Sequence, residues 1–393
     1  MIFFLFSMLS FSARAENDNN VNLSSMKFIP GKGLSIKSNS GDFTMVTRLR
    51  AQIRYTFDQS GDELSHGLQL RRARLLFQGN AFGKNNGYKF ELAVAPRDIG
   101  LKSSGTISKS PLLDWYFNFG HFRDLTLRIG QYKVPYSRQR VVSSGNLQMV
   151  DRSIANGEFT LDRDVGLDVR SKDLLGLDML RYYAGVYMGE GHSSYANGDF
   201  GMMYLARVEF LPLGIFKDYS EVDLKRYDKP KLSIGVGYGL VQEGKKNKGI
   251  IGSVPADGGT TDTQNITADL CFRYSGLSFE GAYFWREGSR NPGDAVDDDG
   301  NPIAEEAPRN GAGFYAQGGY LFSNNIEIST RYGQIIAATE NTSLASTSEL
   351  GFGLSRYIGV HATKLQGDIF RTWTEDGFND GDTQFRVQMQ LAY

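Results

Sequence analysis

Residues 43–57 read FTMVTRLRAQIRYTF. Every odd position from Phe43 to Phe57 except Thr47 is apolar or small, whereas the even positions include Arg48, Arg50 and Arg54. Strict alternation marks a β-strand, because successive side chains point to opposite faces. This strand has one apolar face and one row of guanidinium groups. A soluble sheet would pack the apolar face on a core and leave the arginines in water. An outer membrane barrel would turn the same face to lipid and line a wet lumen with the arginines. One strand fits both, so the choice rests on the rest of the chain.

The final stretch, TQFRVQMQLAY, repeats the pattern, with Phe385, Val387, Met389, Leu391 and Tyr393 on one face and Gln384, Arg386, Gln388 and Gln390 on the other. An alternating last strand with a terminal aromatic fits the signal read by outer membrane assembly machinery, which makes that machinery an expected partner through Tyr393. Sixteen candidate strands run at 43–57, 67–81, 87–96, 112–120, 124–134, 164–171, 177–188, 202–211, 231–242, 263–275, 277–287, 311–322, 325–334, 347–356, 361–373 and 383–393. Short connections such as AFGKNNG, GHFRD and YIGV alternate with long ones around 97–111, 135–163, 189–201, 243–262, 288–310, 335–346 and 374–382. An even strand count with this parity predicts an all-β fold, a transmembrane antiparallel β-barrel of about 16 strands with short periplasmic turns and long external loops. Trp115, Tyr238, Trp285, Tyr332 and Trp373 fall near strand ends on the apolar face, as interfacial girdles do. One connection, LPLGIFKDYSEVDLKRYDK, is long on the periplasmic side, and the only account of it is a fold back toward the lumen.

The composition agrees. The 393 residues carry 46 Gly and 12% aromatics, which suits many strands and turns. Lys plus Arg is 43 against 44 for Asp plus Glu, so a net charge of −1 argues against nucleic acid as a partner. The single cysteine, Cys271, excludes an intrachain disulfide framework and a Cys-rich metal site. No metal and no cofactor is expected. No run of about 18 apolar residues follows the N-terminus, so no helical span is expected either. MIFFLFSMLSFSARA has an apolar run ending in Ala13-Arg14-Ala15, the pattern of a signal peptide over residues 1–15. The polar segment that follows reads as a flexible periplasmic tail over 16–42. The barrel then occupies 43–393, with 133–163 as a candidate constriction loop.

If the apolar faces meet outer membrane lipid, the opposite faces list the lumen lining. Bases outnumber acids there, and the first two strands alone place Arg48, Arg50, Arg54, Arg72 and Arg74 on one patch of wall. Rings of basic side chains select anions by replacing part of the water that the ion sheds. Arginine suits phosphate because its planar fork gives two parallel charge-assisted hydrogen bonds. The bland alternative is a structural network of charges spanning the lumen. The long connection at 133–163 carries Lys133, Arg138, Arg140, Arg152 and Arg163, which would bring cations to a constriction if it folds inward.

LQLRRARLLFQG at 68–79, LRIGQYKVPYS at 127–137, the pair Ser143-Ser144, VDRSIA at 150–155 and DRDVGLDV at 162–169 together resemble the phosphate-selective porin O and P family. The similarity runs from about residue 43 to the C-terminus. It implies a sixteen-stranded homotrimeric barrel whose arginine ladder leads inorganic phosphate or other small anions to a site built from Arg, Lys and one Asp. The positions that match its motifs are Arg71 and Arg72, Lys133 in GQYK and Arg152 in DRS, with Arg48, Asp114 and Arg140 in comparable places. Together with Arg50 and Arg74 from the strand phase, these are the candidate anion-binding residues. Two features depart from the pattern. Simple alternation points Arg71 away from Arg72, so both can face the lumen only at a rim or a bulge. The loop 288–310 contains AVDDDGNPIAEE, an acidic stretch that lacks the spacing of a calcium loop and reads as a solvated mouth.

The expected function is passive diffusion of anions across the outer membrane, with a general, weakly selective porin or a blocked barrel of adhesive role as alternatives. An enzyme would need a histidine paired with a nucleophile and oriented by a third group. His66, His121, His192 and His361 stand in no recognisable nucleophile motif.

Overall fold

A computed structural model of the chain describes residues 23–102, 104–193 and 201–393. The expected signal peptide at 1–15 and the first part of the expected tail lie outside the described residues. Sixteen strands form the barrel. They are β3 (Thr44–Ser60), β4 (Glu63–Asn80), β5 (Asn86–Ala93), β6 (Leu112–Phe122), β7 (Leu125–Lys133), β8 (Arg163–Ser171), β9 (Leu180–Tyr187), β10 (Met203–Phe210), β11 (Lys231–Gly244), β12 (Thr260–Tyr274), β13 (Leu277–Asn291), β14 (Gly311–Leu321), β15 (Ile326–Ala337), β16 (Thr347–Gly359), β17 (Thr363–Trp373) and β18 (Asp382–Ala392). Each pairs antiparallel with the next, and β18 pairs with β3 from Thr383↔Gln59 to Ala392↔Arg50. That last pairing closes the sheet, so no barrel strand is left as a free edge for lipid to face.

The two faces of the wall differ as the alternation requires. On β10 the residues Arg207 and Glu209 are buried while Val208 between them is 55% exposed, and Val236 opposite it on β11 is 54% exposed. Apolar side chains cover the outside and polar ones point in, the inverse of a soluble core. Trp373 packs on Phe378 with ring centroids 5.0 Å apart and on Tyr332 at 6.4 Å, at the end of the barrel that carries the long loops.

The chain before the barrel corrects the expectation of a tail over 16–42. Leu23–Ile29 (β1) and Gly33–Ser38 (β2) form a hairpin, and β2 pairs with Thr44–Thr47 at the start of β3. Its physical cause is the stagger of the barrel. β18 covers the β3 edge only down to Arg50, and Leu49 exchanges backbone hydrogen bonds with Tyr393 at 2.9 and 3.0 Å. The edge below them would be unpaired, and β2 satisfies it. Gly33 has φ +90°, and its bare α-carbon lies against the carbonyl of Thr47, where a side chain would clash. Phe28 rests on Tyr393 with centroids 6.3 Å apart.

The long periplasmic connection after β10 turns into the barrel. Leu211, Phe216 and Val222 are buried, and so are Asp218, Glu221 and Asp223. Asp218 accepts from Arg138 and Arg181, and Glu221 accepts from the amide of Gln148. This segment is a prop beneath the loop described next.

Candidate functional site

Strand β7 stops where Pro135 can no longer donate to the ladder, and the chain crosses the lumen before returning as β8. This loop contains two short helices, α1 (Arg138–Val141) and α2 (Ile154–Phe159). Ser153 caps α2 by accepting from the amide of Asn156, and Phe159 stacks on Phe284 of the far wall. Arg138 donates to Asp218 at 2.6 Å, to Asp269 at 2.8 Å and to Ser233 at 2.8 Å. Lys364 donates to Leu147 O, Asp368 accepts from Val150 N, and Glu349 accepts from Ile154 N. Arg286 and Arg309 converge on Glu158. The loop is thereby tied to the wall from β10 round to β18, and the open space lies between it and β3–β8.

That space is a cavity of about 590 Å³. Thirteen Lys and Arg side chains line it against four carboxylates, Glu91, Asp98, Asp114 and Asp162. All nine candidates from the sequence, Arg48, Arg50, Arg71, Arg72, Arg74, Asp114, Lys133, Arg140 and Arg152, stand on its lining. The lining also holds Lys89, Arg97, Lys109, Arg128 and Arg163, which the candidate set omitted. Lys89 and Arg128 fall on the inward face of β5 and β7 by strand alternation. Arg97 and Lys109 sit in the loop after β5, where no periodicity exists to orient them.

Arg71 enters through a β-bulge. The register passes from Gln52↔Arg72 to Ile53↔Leu70 and leaves Arg71 without a partner in the ladder. The extra residue resets the alternation, so Arg71 and Arg72 both point inward and both reach Asp151, at 3.5 and 3.2 Å.

Apart from Arg71 and Arg72, the lining cations fall into three sets. Arg74 pairs with Asp98 at 2.6 Å, Lys89 with Glu91 and Asp114, Arg163 with Asp114 at 2.6 Å, and Arg140 with Asp162. Asp114 is thus the hub of a neutralised group. The second set has only neutral acceptors. Arg50 donates to Ser143 Oγ at 2.8 Å and Ser144 Oγ at 3.0 Å. Lys133 donates to the carbonyls of Arg140 and Val142, and Arg152 to those of Gln139 and Val142. Arg128 donates to Asn118 and lies 3.9 Å from the ring centroid of Tyr116. In the third, the side chains of Arg48, Arg97 and Lys109 make no hydrogen bond or ion pair among the described residues. The cavity therefore presents positive charge on β3, on β7, on the loop after β5 and at Arg152 that no carboxylate pairs with. Burial and the nearby charge of Arg72 pull the Arg152 guanidinium down to about 10. Burial works against ionisation of Asp151, yet Arg72, Arg54 and Arg71 hold its carboxyl well below the usual carboxylate range.

The acidic stretch at 294–306 does not line the cavity; Asp297 instead accepts from the amides of Asp299 and Asn301 in its own turn. Two histidines meet serines, His361 with Ser220 at 2.9 Å and His192 with Ser193 at 3.1 Å. Neither ring is oriented by a carboxylate, and His361 Nδ1 has no partner. The cavity gathers thirteen cations against four carboxylates.

No curated protein sequence matches the chain. Among solved structures it is similar to the porin OmpF of Salmonella typhi, with TM-score 0.59, 11% identity and coverage of 90% of this chain and 98% of that one. It is also similar to an anion-selective porin from Comamonas acidovorans, with TM-score 0.56, 12% identity and coverage of 89% and 99%. A loop-deletion form of OmpT, an outer membrane protein of Vibrio cholerae, gives TM-score 0.56, 11% identity and coverage of 89% and 99%. These likenesses concern the fold, a closed sixteen-stranded antiparallel barrel of the bacterial outer membrane. The sequence profile described as phosphate-selective porin O and P matches residues 45–328. With most of the barrel inside that match, the chain belongs to the phosphate-selective porin O and P family and is an outer membrane porin.

Proposed function

We propose that the chain is a passive, anion-selective porin whose constriction is the cationic cavity between β3–β8 and the inward loop, with inorganic phosphate or a related oxyanion as its preferred cargo. The observation that carries this reading is the set Arg50, Lys133 and Arg152, three cations held only by hydroxyls and carbonyls. A tetrahedral oxyanion can take those same donors, because charged acceptors outcompete neutral ones for guanidinium and ammonium groups. Arg97 and Lys109 stand at the external end and Arg128 at the periplasmic end, so an anion finds cations before and after the narrow part. Arg48, Arg71, Arg72, Arg74 and Arg140 complete the wall, and Asp114 keeps Lys89 and Arg163 in place. No cofactor or energy source enters.

The family resemblance supports a homotrimer as the working form, and the outer face of Tyr393 at the barrel's end supports its role in assembly. Trimer formation is tested by light scattering of the detergent-solubilised protein; a monomer mass would remove that part. The function is tested in planar bilayers under a KCl gradient with phosphate added to one side. Anion-selective steps with chloride current reduced by millimolar phosphate support it. Cation preference refutes it, chloride current indifferent to phosphate leaves a general porin, and silence leaves a blocked barrel.

A further inference from the structure

We propose that Asp151 is a tethered stand-in for the anion, a carboxylate that competes with the passing oxyanion for Arg71 and Arg72 and thereby sets how weakly the constriction holds its cargo. This rests on the anion-porin reading and adds to it the residue responsible for release.

Three features lead to it. The first is charge balance. Asp151 Oδ1 accepts from Arg72 at 3.2 Å, and Oδ2 accepts from Arg54 at 3.0 Å and Arg71 at 3.5 Å, so one carboxylate serves three guanidinium groups. A second three-arginine cluster among the described residues, Arg138, Arg181 and Arg207, is matched by Glu209, Asp218 and Asp269 and is buried. That balanced cluster is structural. The Asp151 cluster is left two charges positive, and the Asp151 side chain is 25% exposed.

The second feature is looseness at one partner. Arg71 touches Asp151 only at the limit of a hydrogen bond, its Nε has no partner, and its bulge position gives its backbone no place in the ladder. A visiting oxyanion can take Arg71 and the Nη2 of Arg72, while Asp151 keeps Arg54 and Arg72 keeps Gln52. A carboxylate and a phosphate present the same pair of oxygens to an arginine fork, so the exchange needs no rebuilding of the wall.

The third is tethering. Arg331 donates to the carbonyls of Asp151 and Arg152, and the amide of Val150 donates to Asp368, so the backbone carrying Asp151 cannot follow the anion away. A competitor fixed in place acts at high effective concentration. Conduction requires release as well as binding, and Asp151 returns to the arginines as the anion leaves.

The test is Asp151→Asn in planar bilayers, with inorganic phosphate titrated against the chloride current. Asparagine keeps the shape and an acceptor oxygen but loses the competing charge. The half-blocking phosphate concentration should fall about tenfold, the scale of one charge-assisted hydrogen bond, and each blocked dwell should lengthen. A residue that merely anchors the loop would leave the block unchanged or weaken it, and either result overturns the proposal. Because D151N leaves Arg54 buried without a carboxylate, the pair R54Q and R54Q/D151N serves where D151N does not fold. The double variant should be blocked at lower phosphate than R54Q alone; equal or weaker block overturns the proposal in the same way. Wild-type channels that ignore phosphate would instead defeat the anion-porin reading, and this inference with it.

Discussion

Replacing Arg50 by Ala removes one uncompensated cation from the constriction. Its cost to folding is small for a buried arginine. Arg50 has no carboxylate to abandon, and it lies directly opposite Arg74 in the β3–β4 register, a like-charge pair that is itself unfavourable. What the variant leaves behind is two serine hydroxyls, Ser143 and Ser144, beside open cavity that water can reach. Its cost to anion binding is larger. An oxyanion there loses one charge-assisted hydrogen bond, worth about 1.5–3 kcal/mol, or roughly tenfold to a hundredfold in affinity. The half-blocking phosphate concentration should rise by that factor, and the reversal potential in a KCl gradient should move toward the cation limit. Arg50→Lys should keep the reversal potential and lose part of the affinity, because lysine brings charge without the fork. The assay is single-channel recording on protein whose folded state is checked by its heat-dependent gel mobility. A folded R50A channel with wild-type phosphate block would refute the reasoning.

Arg138→Ala should free the inward loop from Asp218 and Asp269; breaking such a buried network costs about 3–5 kcal/mol, so single-channel conductance should rise and the unfolding temperature fall. Wild-type conductance would show that the loop is held elsewhere. Deleting Tyr393 removes the terminal aromatic and its two backbone bonds to Leu49, so folded protein in the outer membrane should drop, measured by heat-modifiable mobility of membrane fractions; normal levels count against that role. Deleting residues 23–38 exposes the lower edge of β3 and uncovers Tyr393, so the barrel should conduct with wild-type selectivity but lose thermal stability. Altered selectivity would place the hairpin in the ion path.

The barrel was legible because its code is local. FTMVTRLRAQIRYTF and TQFRVQMQLAY each show both faces of a strand, and the pairing of Arg50 to Gln59 with Ala392 to Thr383 joins those two stretches. For the doublet Arg71-Arg72 the alternation left a rim or a bulge open, and the ladder supplies the bulge. What stayed hidden depends on contacts between distant residues. Nothing near Asp151 in the chain signals that Arg54, Arg71 and Arg72 converge on it, because strand stagger and loop path decide that meeting. The hairpin at 23–38 was hidden for a related reason. Its polar lead-in looks like a tail until the β3 edge that β18 leaves unpaired is known. Arg97 and Lys109 lie in a loop without periodicity, and only the folded path of residues 94–111 brings them to the cavity.

Positive charge left unpaired around the cavity, at Arg50, Arg128, Lys133 and Arg152 above all, is what we propose makes this barrel an anion channel that recognises phosphate. The reversal potential of the wild-type channel in asymmetric KCl, followed by titration of phosphate into the same bilayer, tests it most directly. A potential of the sign set by chloride is expected, with a chloride current that falls as millimolar phosphate is added. A potential of the sign set by potassium would contradict it.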